Sequence, residues 1–173
     1  PDLLRLCRRG AELTLPRPDE LMPLPEESEY FLVPGRSELG LDPGLDHMSA
    51  MRMIRDARKE GGRIESFVSL CGGLPAPEAA TNPFGYKFSW SPRGVLTAGR
   101  NAAKFLVEGR EVRVPGDQLF LHAKPVDINP AFSLEHLPNR DSVPYAKAYG
   151  IEDATTVYRG TLRYRGFSSV MFH

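Results

Sequence analysis

TTVYRGTLRYRGF, residues 155–167, carries the clearest structural signal in the chain. Its β-branched and aromatic residues (Thr155, Thr156, Val157, Tyr158, Thr161, Tyr164) suit a pleated, half-buried surface, and the spacing predicts one long strand. Side chains alternate along a strand, so Arg159, Thr161 and Arg163 share one face while Tyr158, Leu162 and Tyr164 share the other. Two guanidinium groups and a hydroxyl in a row suit carboxylate recognition, because the guanidinium fork matches carboxylate oxygens two by two. A plain solvated strand face fits the same pattern. Gly160, inside the run, favours close approach by another group.

Upstream of this strand, FSLEHLPNRDSVPYAKAYG reads as mixed loop and short helix, and EVRV and QLFLHA read as strands. Ser91-Pro92 opens a helix expected to reach about Glu108, and YKFSW before it reads as a short strand. GGLPAPEAATNP is a loop by its glycines and prolines. RIESFVSLC is a strand, with Ile64, Val68 and Leu70 expected to face one way. Asp42 followed by Pro43 reads as N-cap and first helical residue of a helix that stops at Gly61-Gly62. Leu45, Met48, Met51 and Ile54 recur along it at helical spacing. Residues 1–37 differ. Prolines at 16, 18, 23, 25 and 34 forbid a continuous helix or a central strand, so an extended arm is expected, with short elements at 3–10 and 30–33. The fold class is α+β (mixed α/β), with helices packed on one face of a mixed sheet.

Bulk properties exclude several functions. Among 173 residues, 22 Lys and Arg balance 22 Asp and Glu, so nothing supports a nucleic-acid or anionic-membrane partner held by net positive charge. No apolar run approaches the roughly 18 residues of a membrane span, and the opening PDLLRLCRRG lacks a signal-peptide layout. Two cysteines, Cys7 and Cys71, are too few for a secreted disulfide scaffold, which favours a reducing compartment. The four histidines stand at no metal-ligand spacing, and no metal is expected. G-x-G occurs nowhere, so neither usual phosphate-cradling loop is present.

Two further positions could carry chemistry. Asp42, beside glycines at a helix N-terminus, is either a cap or part of a polar site. Cys71, at a strand end before Gly72-Gly73, is either a small buried apolar residue or a reactive thiol. No His or Lys lies near Cys71 in sequence to lower its pKa, so nucleophilic catalysis is not indicated.

GLDPGLDHM, CGGLPAPEAATNPFGYKFSWSPRGV, LPNRDSVPYAKAYGI and YRGTLRYRGF, collinear from Glu38 to Phe167, resemble the substrate-binding domain of the glutamate-forming saccharopine dehydrogenases. The resemblance implies the second domain of a Rossmann-containing dehydrogenase over residues 38–173, the arm of 1–37 not matching. It implies a reaction in which saccharopine, NAD(P)⁺ and water give glutamate, 2-aminoadipate 6-semialdehyde and NAD(P)H, in lysine metabolism. The cofactor would require a Rossmann domain, which this sequence does not contain. By resemblance, Arg140, Thr161, Leu162 and Arg163 bind saccharopine; Leu41, Asp42, Pro43 and Ser91 contact the cofactor; and Asp42 and Cys71 are the catalytic candidates. A homodimer is implied, cytoplasmic, or mitochondrial if of the animal bifunctional type. The competing expectation is a non-catalytic module that binds an amino acid or serves dimerisation.

Overall fold

The computed structural model describes residues 42, 44–88 and 91–172. The expectations for the arm of 1–37, for Leu41 and Pro43, and for the last two residues of YKFSW lie outside them. The elements are α1 (Leu45–Lys59), β1 (Ser66–Cys71), α2 (Pro92–Ala98), β2 (Ala103–Val107), β3 (Arg110–Val114), β4 (Lys124–Val126), β5 (Leu134–Pro138), α3 (Pro144–Ala148), β6 (Thr156–Tyr164) and α4 (Phe167–Phe172). Short 3₁₀ turns cover Pro77–Ala79 and Gly116–His122.

The strand expected at 155–167 is β6, and the sheet is organised around it. Strand order is β3-β2-β6-β5-β4, and β1 pairs parallel with β6 from Ser66–Thr156 to Cys71–Thr161. β5 pairs antiparallel with Gly160 to Tyr164, so β1 and β5 lie on opposite edges of β6. β2 pairs with β6 at Leu106–Val157 alone. One parallel pairing among antiparallel ones makes the sheet mixed, and the α+β reading holds.

Alternation along β6 sends Val157 and Tyr158 into separate cores. Val157, fully buried, packs with Ala50 and Ile54 of α1 and with Tyr149, Ile151 and Ala154 after α3. Tyr158, on the opposite face, packs with Ala103, Phe105, Val114 and Leu119. That second face is covered by the 3₁₀ turn at Gly116–His122. Of the four apolar residues spaced along α1, only Ile54 is buried; Leu45, Met48 and Met51 are 48, 63 and 44% exposed. Ile64 joins the Val157 cluster and Leu70 the Tyr158 cluster, while Val68 is exposed, so these three do not share one buried surface.

Several elements depart from expectation for local reasons. The helix opened by Ser91 does begin at Pro92, with the Ser91 hydroxyl accepting from the Gly94 N–H at 3.1 Å. It ends at Ala98 and gives way to the β2–β3 hairpin. Glu108 and Gly109 both take positive φ (50° and 76°), the two-residue turn that joins twisted strands with Val107 opposite Arg110. QLFLHA is mostly 3₁₀ turn, because Pro115 and Gly116 start a tight bend that buries Leu119 and leaves Leu121 exposed. Tyr86 to Phe88 are not strand. The Asn82 side chain accepts from the N–H groups of Phe84 and Tyr86 and donates to the Tyr86 carbonyl, satisfying backbone groups that a strand partner would otherwise serve. Gly160 is not open to a ligand on the side a Cβ would occupy: Leu70 and Tyr158 fill that space within 2.8 Å.

Gly72 lets β1 end against the backbone of β6. A Cβ there would lie 2.3 Å from the Leu162 carbonyl oxygen, whereas one at Gly109 would meet nothing within 4 Å. Gly72→Ala is therefore expected to cost about 3 kcal/mol and Gly109→Ala, where only the positive φ resists, about 1 kcal/mol. Urea unfolding of both variants checks this ranking.

His136 supplies a pH dependence. Its Nδ1 lies 2.7 Å from the Tyr158 hydroxyl, and burial, aided by Lys124, holds its pKa below the ordinary 6.5. The unfolded chain then binds a proton more readily than the folded one. Stability is expected to be full above pH 6.5 and to fall as pH drops from there towards the depressed folded value. His136→Gln, followed by thermal melts across pH 5 to 7, is expected to flatten that slope.

Candidate active site

The N-terminus of α1, the end of β1, the start of α3 and the middle of β6 converge on the same face of the sheet as Val157. Thr161 sits beside Cys71 in the parallel register, and Arg159 beside Ser69. Arg159 is the hub. Its Nη2 donates to Asp42 Oδ1 at 2.8 Å and to Asp46 Oδ2 at 3.1 Å, and its guanidinium lies 4.3 Å from the Tyr145 ring centroid. The Arg159 and Asp46 side chains are largely buried, so their contact acts in a low dielectric, while Asp42 lies at the more exposed edge of the cluster.

This changes the reading of Asp42. α1 starts at Leu45 with Gly44 at the N-cap, and no side chain caps it. Asp46, inside the first turn, instead accepts from the Gly44 N–H at 2.7 Å. Asp42 is not the cap; it lies further out and turns its carboxylate to Arg159. Gly44, with φ 147°, provides the bend that separates the two roles.

Cys71 borders the cluster. Burial, followed by the charge and hydrogen bond of Asp42 and the charge of Asp46, pushes its thiol up to about 11 against an opposing pull from Arg159. The thiol is therefore protonated at neutral pH. Behind Arg159, His47 Nδ1 lies 2.5 Å from the Tyr149 hydroxyl and stacks on Tyr145 at 5.7 Å. Burial pushes Tyr149 up to about 12, so its hydroxyl keeps its proton.

Arg163, two residues along the same face from Thr161, has a different environment. It is 8% exposed, its Nη1 donates to the Leu162 carbonyl, and its Nε has no partner among the described residues. The guanidinium lies 4.7 Å from the Tyr86 centroid and 5.2 Å from that of Phe167. Its cross-strand neighbour Glu135 is committed elsewhere, accepting from Gly166 N at 2.9 Å and Ser168 N at 2.8 Å. Burial lowers the Arg163 pKa, opposed by Tyr86 and Cys71. Among the described residues, no carboxylate neutralises this cation.

Arg140 is exposed and has φ 50°, a left-handed conformation costing a non-glycine residue about 1 kcal/mol. It lies on the loop that leaves β5 beside Arg159, and no carboxylate pairs with its side chain among the described residues. The structure thus gathers Asp42, Cys71, Thr161 and Arg163, with Arg140 on the adjoining loop. Ser91 is elsewhere, its hydroxyl committed to the cap of α2. Of the expected cofactor positions that are described, Ser91 has its hydroxyl accepting from Gly94 N, and Asp42 has its carboxylate accepting from Arg159. Among the described residues no cluster of His, Cys, Asp and Glu could hold a metal. Sequence reasoning missed Asp46, His47, Tyr145 and Tyr149, and placed Arg159 with Arg163 on a carboxylate-recognising face without marking its internal partners; no local signal marks a salt bridge spanning 117 residues.

The architecture is that of an α+β domain built on a mixed sheet. A family described as the saccharopine dehydrogenase C-terminal domain matches residues 40–173, and the chain belongs to it. It is 53% identical over 131 residues to the alpha-aminoadipic semialdehyde synthase of Arabidopsis thaliana, covering 74% of this chain and 12% of that protein. It is 53% identical over 124 residues to the saccharopine dehydrogenase [NADP(+), L-glutamate-forming] of Schizosaccharomyces pombe, covering 72% and 28%. The mitochondrial alpha-aminoadipic semialdehyde synthase of Mus musculus is 54% identical over 129 residues, 74% of this chain and 14% of its own length. Among solved structures, apo saccharopine dehydrogenase (L-Glu forming) from Saccharomyces cerevisiae superposes with a TM-score of 0.74 at 50% identity, over 78% of this chain and 30% of that one. The chain spans less than a third of each of these relatives.

With the thiol raised to about 11, alkylation of Cys71 by iodoacetamide at pH 8 is expected to run roughly a hundredfold slower than for an ordinary cysteine of equal access. Asp42→Asn removes one cause of the shift and is expected to accelerate it. Rates from mass spectrometry across pH 7 to 11 check both.

Proposed function

We propose that this chain is the saccharopine-binding part of an NADP-dependent, glutamate-forming saccharopine dehydrogenase of lysine metabolism. The observation that carries the reading is Arg163: a buried guanidinium with aromatic faces around it and no carboxylate partner among the described residues. A cation desolvated in this way is costly until an anion completes it. Saccharopine brings three carboxylates. In this reading Arg163 takes one and Arg140 another, with Thr161 and the Leu162 backbone beside them. The Cys71 thiol, protonated and next to the Asp42 carboxylate, forms a proton-holding pair at the edge of the site. Asp42 and Cys71 are the catalytic pair of this reading.

The chain supplies the amino-acid end of the reaction. The dinucleotide, when bound, supplies hydride chemistry, and in this reading Leu41, Asp42, Pro43 and Ser91 are the contacts this chain offers it. We assign residues 38–173 to the substrate domain and 1–37 to an arm outside it, and place a homodimer within the same reading. Glutamate and 2-aminoadipate 6-semialdehyde would occupy the site as products. Compartment follows the type of relative: mitochondrial for an enzyme of the animal kind, cytoplasmic otherwise. No helix among the described residues is long and apolar enough to cross a membrane. The lack of a phosphate cradle among them favours one alternative, a non-catalytic amino-acid-binding module. The two separate on fusion: placed behind the dinucleotide-binding domain of the yeast relative, the chain restores saccharopine-dependent NADP⁺ reduction only if the enzymatic reading holds.

Calorimetric titration of the chain with saccharopine tests the site itself. Arg163→Ala and Arg140→Ala are each expected to weaken binding about 30- to 1000-fold, with Arg→Lys restoring only part of the loss. Arg159→Ala is expected instead to lower the melting temperature, since it strands Asp42 and Asp46. Unchanged saccharopine affinity in Arg163→Ala overturns the reading.

A further inference from the structure

β5 and β2 both pair with β6, but they leave a gap between them. β5 stops at Pro138 opposite Gly160, and β2 meets β6 at Val157. The loop 139–142 closes the gap. Asn139 N donates to the Arg159 carbonyl at 2.9 Å, and Arg159 N donates to the Ser142 hydroxyl at 3.0 Å. Both backbone groups of Arg159 are thus satisfied by the loop, one of them by a side chain. The loop is fixed on its other side as well. Lys104 N donates to the Arg140 carbonyl at 2.8 Å, and Ser142 N donates to the Lys104 carbonyl at 2.7 Å. Arg140 is suspended between these contacts in its left-handed conformation.

Ser142 is fully buried, and its hydroxyl is the side-chain acceptor that ties this loop to β6. The Lys104–Asp141 ion pair at 2.9 Å is partly exposed and tethers the loop only to β2. We infer that Ser142 is a positioning residue: its bond to Arg159 N sets where Arg140 stands relative to Thr161 and Arg163, and so sets the spacing at which two carboxylates of one substrate are gripped. This rests on the reading that Arg140 and Arg163 bind saccharopine. Serine suits the position physically, because a fully enclosed site accepts a small hydroxyl and alanine would leave the Arg159 N–H without its partner.

The test is a double-mutant cycle read by calorimetry with saccharopine on the 173-residue chain. Ser142→Ala is expected to weaken binding about tenfold, and to weaken it no further when Arg140 is already alanine, because the two act through one contact. Ser142→Cys, similar in size and a weaker acceptor, is expected to fall between serine and alanine and serves if the alanine variant does not fold. An unchanged affinity in the folded Ser142 variant, or a loss that adds in full to that of Arg140→Ala, overturns the inference and leaves the substrate reading standing. An unchanged affinity in Arg140→Ala overturns Arg140's part in the substrate reading and the inference with it.

Discussion

The Arg159 guanidinium is the interaction on which the rest of the site depends. One group holds two carboxylates, Asp46 in the first turn of α1 and Asp42 just before that helix, covers the ring of Tyr145, and lies on the strand that orders the sheet. A solvent-exposed pair would contribute little. Here burial makes the interaction strong and makes incomplete pairing costly, so helix, strand and loop are fixed relative to one another. The thiol of Cys71 and the hydroxyl of Tyr149 both take their protonation from this neighbourhood.

Arg159 and Arg163 lie on one strand face and have opposite charge environments. The first is neutralised internally and serves the fold. The second, with its cross-strand glutamate committed to backbone amides, has no carboxylate partner among the described residues. Strand alternation places both arginines alike, and only the three-dimensional disposition of Asp42, Asp46 and Glu135 tells them apart. A cluster of arginines is therefore not in itself a binding site; what distinguishes its members is which of them already has a carboxylate partner among the described residues.

How much of this the sequence carries depends on the range of the forces involved. The long strand at 156–164 was legible because alternation and β-branching act residue by residue. So were the helix of 45–59 and the Ser-Pro start of α2, whose signals lie within one helical turn. The overrun of α2 came from Ala102, Ala103, Lys104, Leu106 and Glu108, which suit a helix locally. Tertiary pairing with β3 and β6 overrides that preference. QLFLHA and YKFSW failed for the same reason, the first shaped by the bend at Pro115-Gly116 and the second by the Asn82 side chain. The arginine-bearing face was visible in sequence; the carboxylates that neutralise Arg159 were not, because they lie more than a hundred residues away.

The parallel pairing of β1 with β6 also governs how the molecule assembles. Thr155 and Glu65, hydrogen-bonded at the mouth of that pairing, are 90 residues apart, so closing the loop carries a large entropy cost that local contacts do not offset. The β2–β3 hairpin, joined by two residues, can form early and alone. The cluster around Arg159 cannot. It draws on residues from both sides of that long closure and exists only once β1 has paired with β6. The cluster is thereby tied to the slow, non-local closure of the sheet, and a chain arrested short of it would carry helix and hairpin but no Arg159 cluster.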